Sequence, residues 1–121
     1  MPANDWNIRI VSTGSGTAFE PRVPGGTPGG QLLAQAGDVV SWGNATNETH
    51  QPWPLDANGN PVPAATPEAA TPGYMSAPIP RNSSSTPQYV IDSGLAAGTV
   101  INYYCKQHPT AVSERGSIKI F

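Results

Sequence analysis

Apolar and polar residues alternate cleanly at both ends of the chain. Trp6, Ile8 and Ile10 are separated by Asn7 and Arg9. This period of two predicts a half-buried strand over residues 6–11. Ile118 and Ile120 alternate with Ser117 and Lys119, which predicts a closing strand over residues 116–121. Val39-Val40-Ser41-Trp42 is dense in β-branched and aromatic side chains, as a central strand is. Shorter strands are predicted over 31–35 and 88–92. A strand over 99–104 runs directly into Cys105. Between these runs lie turn segments. Residues 12–16, the Gly/Pro stretch 24–30, Ala36-Gly37-Asp38 and residues 93–98 all carry turn chemistry. No segment has the period of a helix, so the pattern predicts an all-β, antiparallel sandwich.

Residues 52–87 break the pattern. Nine of the 14 prolines fall there, among Ala, Thr, Asn and Ser. Proline withholds its backbone N–H, so neither a helix nor a continuous ladder is expected. A plain loop of this length is unusual in a compact domain. The segment is expected to be an ordered excursion, pinned by Trp53, Tyr74, Met75 and Ile79 against one sheet. The alternatives are a mobile flap and a low-complexity linker. Nothing on either side suggests a second domain, so residues 1–121 are expected to form one.

Composition narrows the classes. A length of 121 residues suffices for one hydrophobic core. The net charge of −2, with 12% of residues charged, offers no basic field for nucleic acid. No run is long and apolar enough for a membrane-spanning helix. Met1-Pro2-Ala3-Asn4-Asp5 lacks the basic-then-apolar pattern of a signal peptide. The chain is therefore expected to be cytosolic, or a mature domain carrying a start methionine. The segment 43–49 contains Asn-X-Thr sequons at Asn44 and Asn47, and Asn82 begins an Asn-X-Ser. They matter only in a secreted eukaryotic chain, and no function is attached to them.

The candidate chemistry lies in Tyr103-Tyr104-Cys105-Lys106-Gln107-His108-Pro109. This stretch holds the single cysteine and one of the two histidines. With one cysteine, no disulfide can form within the chain. A cysteine at a strand end, followed three residues later by His108, puts both side chains on one turn at the sandwich rim. His50, at the end of a polar loop after the 39–42 strand, is the second imidazole. A thiolate and two imidazoles suit copper or zinc. In a trigonal plane with a weak fourth ligand, they form the set of blue-copper electron-transfer sites.

Several pieces together resemble a cupredoxin of the plastocyanin/azurin type, and they run in that family's order. Phe19-Glu20-Pro21 resembles its early F-x-P element. Ala36-Gly37-Asp38-Val39-Val40-Ser41-Trp42 resembles A-G-D-x-V-x-W. His50 stands where the first histidine ligand stands. The run from Gly98 through Cys105 resembles G-T-Y-x-Y-x-C, Cys105-Lys106-Gln107-His108 resembles C-x-x-H, and Gly116-Ser117-Ile118-Lys119-Ile120 resembles the closing G-x-I-x-V strand. The resemblance implies a Greek-key antiparallel β-sandwich. It also implies one copper ion, cycling between Cu(I) and Cu(II), on His50, Cys105 and His108. The implied function is outer-sphere electron transfer without enzymatic turnover, in a periplasmic or extracellular setting. Redox partners are expected to dock near His108 and Pro109 through an apolar patch, with weak electrostatic steering.

The chain departs from this family at three places. The axial methionine is missing, and alignment on Gly116 puts Glu114 in its place. Glu114 either supplies a hard oxygen donor or turns outward beside Arg115. Ser113 competes for the slot on spacing, and Met75 is a remote source of a thioether. A carboxylate donor is expected to favour Cu(II), lower the potential and shift the colour from blue toward green or red. Gln51 follows His50 where the family often has Asn, and its backbone N–H can still donate to the cysteine sulfur. Pro52-Trp53-Pro54 begins the excursion close to the metal. There Trp53 is a docking surface, a tunnelling neighbour or a hydrophobic anchor. Competing functions are copper sequestration or delivery, and catalysis at an open, red or type 2-like copper with Glu114 or Glu48 as base. A zinc site on the same four residues, or a metal-free interaction module, would also be chemically consistent.

Overall fold

The computed structural model describes residues 4–14 and 16–121. Met1, Pro2 and Ala3, on which the reading of the N-terminus partly rests, lie outside the described residues, as does Ser15 in the predicted 12–16 turn. The described residues form eight strands: β1 (Asp5–Thr13), β2 (Gly16–Pro21), β3 (Leu32–Ala34), β4 (Val39–Asn44), β5 (Pro52–Pro54), β6 (Tyr89–Val90), β7 (Val100–Cys105) and β8 (Arg115–Ile120). They make two four-stranded sheets, ordered β2-β1-β4-β6 and β3-β8-β7-β5. The protein is an all-β sandwich. Most neighbours run antiparallel, but β1 lies parallel to β4 and β3 parallel to β8. These two pairs join strands far apart in sequence, which alternation within a strand does not reveal.

The alternation works as the pattern dictates. Ile8 and Ile10 of β1, Val40 and Trp42 of β4, and Ile118 and Ile120 of β8 are buried in one core. Phe19, Leu32, Ile91 and Tyr103 fill the space between the sheets. The Tyr103 ring stands edge-on to Phe19 and Trp42, at centroid distances of 4.9 and 5.5 Å. Edge-to-face packing of this kind adds to the gain from burial. The Trp42 indole N–H points to the Tyr103 hydroxyl at 3.4 Å.

Two strands were absent from the sequence reading. β2 has no clean period, because Ala18 and Phe19 are both buried. It also ends on Pro21, which an edge strand tolerates. β5 consists of Pro-Trp-Pro, yet pairs antiparallel with β7, Pro52 opposite Cys105 and Trp53 opposite Tyr104. It too is an edge strand, where the missing proline N–H groups break no ladder on a second side.

The rest of residues 52–87 contains one 3-10 turn, Glu68–Ala70, and is tied down along its length. Trp53, Met75 and Ile79 are buried, while Tyr74 is half-buried. The Trp53 indole N–H donates to the Val62 carbonyl at 2.8 Å. Near the far end, the backbone runs beside β4: Asn44 N–H donates to Ser83, and Ser85 N–H donates to Trp42.

Candidate metal centre

Four side chains meet at one end of the sandwich: His50, Cys105, His108 and Glu114, whose potential ligand atoms all lie within 4.8 Å of one another. Each is placed by backbone contacts. His50 exchanges two backbone hydrogen bonds with Ile79, at 3.1 and 2.7 Å. Cys105 ends β7, and its N–H donates to the Glu114 carbonyl at 3.0 Å. Between them the chain makes consecutive turns: His108 N–H to Cys105, Ala111 N–H to His108, and Glu114 N–H to Ala111. The loop closes on itself, so Cys105 and Glu114 face each other across its neck. Lys106 N–H donates to the Gln51 carbonyl at 2.9 Å, joining this loop to the residue after His50.

Inside the site, Cys105 Sγ lies 3.7 Å from His50 Nδ1 and 3.5 Å from His108 Nδ1. Glu114 Oε1 lies 2.8 Å from His50 Nδ1 and 3.1 Å from His108 Nδ1. His50, Cys105 and Glu114 are buried, whereas the His108 side chain keeps 29% of its surface exposed. Burial pushes the Cys105 thiol up to about 11, against the opposing pull of the Gln51 and Gln107 backbone N–H groups that donate to it. Burial likewise holds the His50 imidazole below its usual range, more strongly than the Glu114 carboxylate raises it. The net direction favours the neutral ring even though Glu114 touches it.

The outer nitrogens have separate partners. His50 Nε2 meets the Thr46 hydroxyl at 2.8 Å, and His108 Nε2 meets the Glu48 carboxylate at 3.3 Å. A carboxylate only accepts, and a neutral imidazole has a single N–H. In neutral rings whose outer nitrogens donate, both Nδ1 atoms would present lone pairs to the Glu114 oxygen, which is also an acceptor. Such a cluster of acceptors around a buried thiol fits a bound cation, and its thiolate and imidazole donors suit copper or zinc.

Of the alternatives for the fourth position, the structure turns Glu114 inward. The Ser113 hydroxyl lies instead beside Gly16 of β2, and Met75 is packed in the hydrophobic core. The Gln51 N–H does reach the sulfur. The Gln51 side chain faces the Pro-rich segment, donating to Glu68 Oε1 at 2.8 Å and to the Ser76 carbonyl at 3.0 Å. Trp53 is buried, with the Lys106 ammonium 4.1 Å above its ring. Thr46 as a partner of His50 is a finding of the structure; its signal in the sequence is the two-residue spacing Asn44, Thr46, Glu48, His50 inside the polar loop.

No protein-family model and no curated protein matches the sequence. Solved structures do. A purple cupredoxin from Nitrosopumilus maritimus is similar over 95% of this chain and 98% of its own, at 19% identity and a TM-score of 0.62. Amicyanin from Paracoccus versutus is similar over 100% of this chain and 85% of its own, at 14% identity and a TM-score of 0.56. A multicopper oxidase from Campylobacter jejuni matches 97% of this chain with 25% of its own length, at 16% identity and a TM-score of 0.54. The protein has the cupredoxin fold, with His50, Cys105, His108 and Glu114 gathered at one end of the sandwich.

Proposed function

We propose that this protein is a mononuclear copper protein, with His50, Cys105, His108 and Glu114 as the ligands, that carries single electrons between partner proteins. The observation that carries this reading is the convergence of two imidazole nitrogens, a carboxylate oxygen and a thiol within 4.8 Å, with the outer ring nitrogens already engaged. Copper in such a site supplies a one-electron couple, tuned by the donors around it. The chain's own residues do the rest. The Gln51 and Gln107 N–H groups hold negative charge on the sulfur. The closed loop 105–114 fixes three of the four donors against the sandwich, which limits rearrangement. The exposed edge of His108, beside exposed Pro109 and the 81% exposed Val112, is the place for a partner to dock. The family resemblance supports a periplasmic or extracellular setting, one domain over residues 1–121, and no enzymatic turnover.

A second reading, copper sequestration or delivery, is favoured by the inward Glu114. A hard oxygen donor stabilises Cu(II) and moves the potential down. Titration of Cu(II) into the metal-free chain tests both. At one equivalent, an intense thiolate-to-copper charge-transfer band is expected, and Cys105→Ser abolishes it. Glu114→Met is expected to shift the band and raise the reduction potential. If no such band forms, the copper reading fails. An unchanged spectrum and potential in the variant would remove Glu114 from the ligand set. A wild-type potential too low for ordinary protein carriers would favour sequestration.

A further inference from the structure

We propose that Asn44 and Thr46 are positioning residues that lock the buried His50 ring with its hydrogen on Nε2, keeping Nδ1 free for a metal. The lock follows from counting donors along a chain of short contacts. Asn44 Nδ2 lies 2.6 Å from the Glu48 carbonyl and 2.9 Å from the Ile79 carbonyl. A carbonyl only accepts, so the amide nitrogen must be on that side and Oδ1 on the other. Oδ1 then accepts from the Thr46 backbone N–H at 2.9 Å and from the Thr46 hydroxyl at 2.7 Å. A hydroxyl has one hydrogen, and the contact to Asn44 claims it. The hydroxyl's contact to the Glu48 carbonyl is longer, at 3.2 Å, and the Glu48 backbone N–H donates to Oγ1 at 3.3 Å, which uses one lone pair and leaves the other. Thr46 Oγ1 therefore turns a lone pair toward His50 Nε2, 2.8 Å away, and the ring must donate.

The lock opposes a competing arrangement. His50 Nδ1 lies 2.8 Å from Glu114 Oε1. A hydrogen on Nδ1 would make a short bond to that carboxylate and close the metal position with the protein's own groups. Asn44 and Thr46 are both buried, so water does not dilute the preference they impose. The same residues form the Asn44-Ala45-Thr46 sequon, whose asparagine and threonine side chains are thus committed to the interior. The consequence for metal binding rests on the copper reading above, but the ring's tautomer is a property of the chain alone.

Nitrogen-15 NMR of the imidazoles in the metal-free chain at neutral pH reads the tautomer directly. The wild type is expected to show His50 neutral with hydrogen on Nε2. Thr46→Ser keeps a hydroxyl and should keep that state. Thr46→Val, equal in size but unable to accept, should move the hydrogen to Nδ1. Cu(I) affinity should fall about 10–100-fold in Thr46→Val, the usual effect of losing a group that orients a ligand, and stay within a few-fold of wild type in Thr46→Ser. A wild-type ring carrying its hydrogen on Nδ1, or on both nitrogens, overturns the proposal without any variant having to fold. So does a Thr46→Val protein with unchanged tautomer. If copper fails to bind while the Nε2–H tautomer is found, the copper reading falls and the lock stands.

Discussion

Buried polar side chains at single positions hold the site and the turns around it. Among the described residues, every buried side-chain nitrogen or oxygen has a polar atom within hydrogen-bond distance. Asp38 shows how much one group can organise. Its carboxylate accepts from the Trp6 indole at 2.8 Å, from Gln35 N–H at 2.9 Å and from Asn4 N–H at 3.1 Å. Burial alone would raise its pKa, but the three donors outweigh it and hold the carboxyl below its usual value of 3.8. A depressed carboxyl pKa contributes stability that is present above the unfolded value and lost as pH falls through the folded one. Asp38→Ala is expected to lower stability by about 2–4 kcal/mol, as loss of charged hydrogen bonds does. It should also flatten the decline of wild-type stability below about pH 4. Urea unfolding at neutral and acidic pH measures both. The aspartate of Ala36-Gly37-Asp38 was legible as turn chemistry. Its grip on Trp6 and Asn4, 32 and 34 residues upstream, was not, because those contacts exist only once β1 lies beside β4.

Pairs of strands carry the site. β7 delivers Cys105 and β8 begins directly after Glu114, and the two are packed without slack. A methyl group at Gly116 would meet Tyr103 Cζ at 2.3 Å, well inside contact distance. Tyr103 is wedged between Phe19 and Trp42, so the ring cannot move aside cheaply. Gly116→Ala is expected to destabilise the fold by about 1–3 kcal/mol, the range for overpacking a core, seen as a lower midpoint in thermal unfolding. The closing strand and the run into Cys105 were readable from alternation. β2 and β5 were not, since an edge strand can bury consecutive residues or carry proline and so lose its period. For residues 52–87 the sequence leaves an ordered excursion, a mobile flap and a linker open, and it does not reveal their contact with the ligand loop. Glu68 Oε2 takes the Lys106 ammonium at 2.6 Å, a contact between residues 38 apart. Being partly exposed, that ion pair contributes little to stability, and its role is to hold a loop in place.

At the scale of the whole molecule, the two sheets form a support whose one end carries the four candidate ligands. Among the described residues, no helix is long and apolar enough to cross a membrane. A site formed only in the folded state couples metal binding to folding. At a free copper concentration about 100 times Kd, linkage predicts a gain of about 2.7 kcal/mol. For a chain of this size that raises Tm by roughly 10 °C. Calorimetry with and without Cu(I) measures the shift, and a chelator should reverse it. An unchanged Tm at saturating copper would sink the ligand assignment.

By itself, the sequence determined the candidate donors and the scaffold class. A lone cysteine three residues before one histidine, strands of period two and turns of glycine and proline are local facts, and local sterics and solvation decide them. Only the tertiary structure decided that Glu114 faces inward rather than toward solvent, that β1 joins β4 in parallel, and that Thr46 meets the outer edge of His50. Each of these depends on where a distant segment arrives. A glutamate at a loop neck turns inward only when imidazoles 6 and 64 residues away stand ready to meet it, and one-dimensional periodicity carries no record of that meeting.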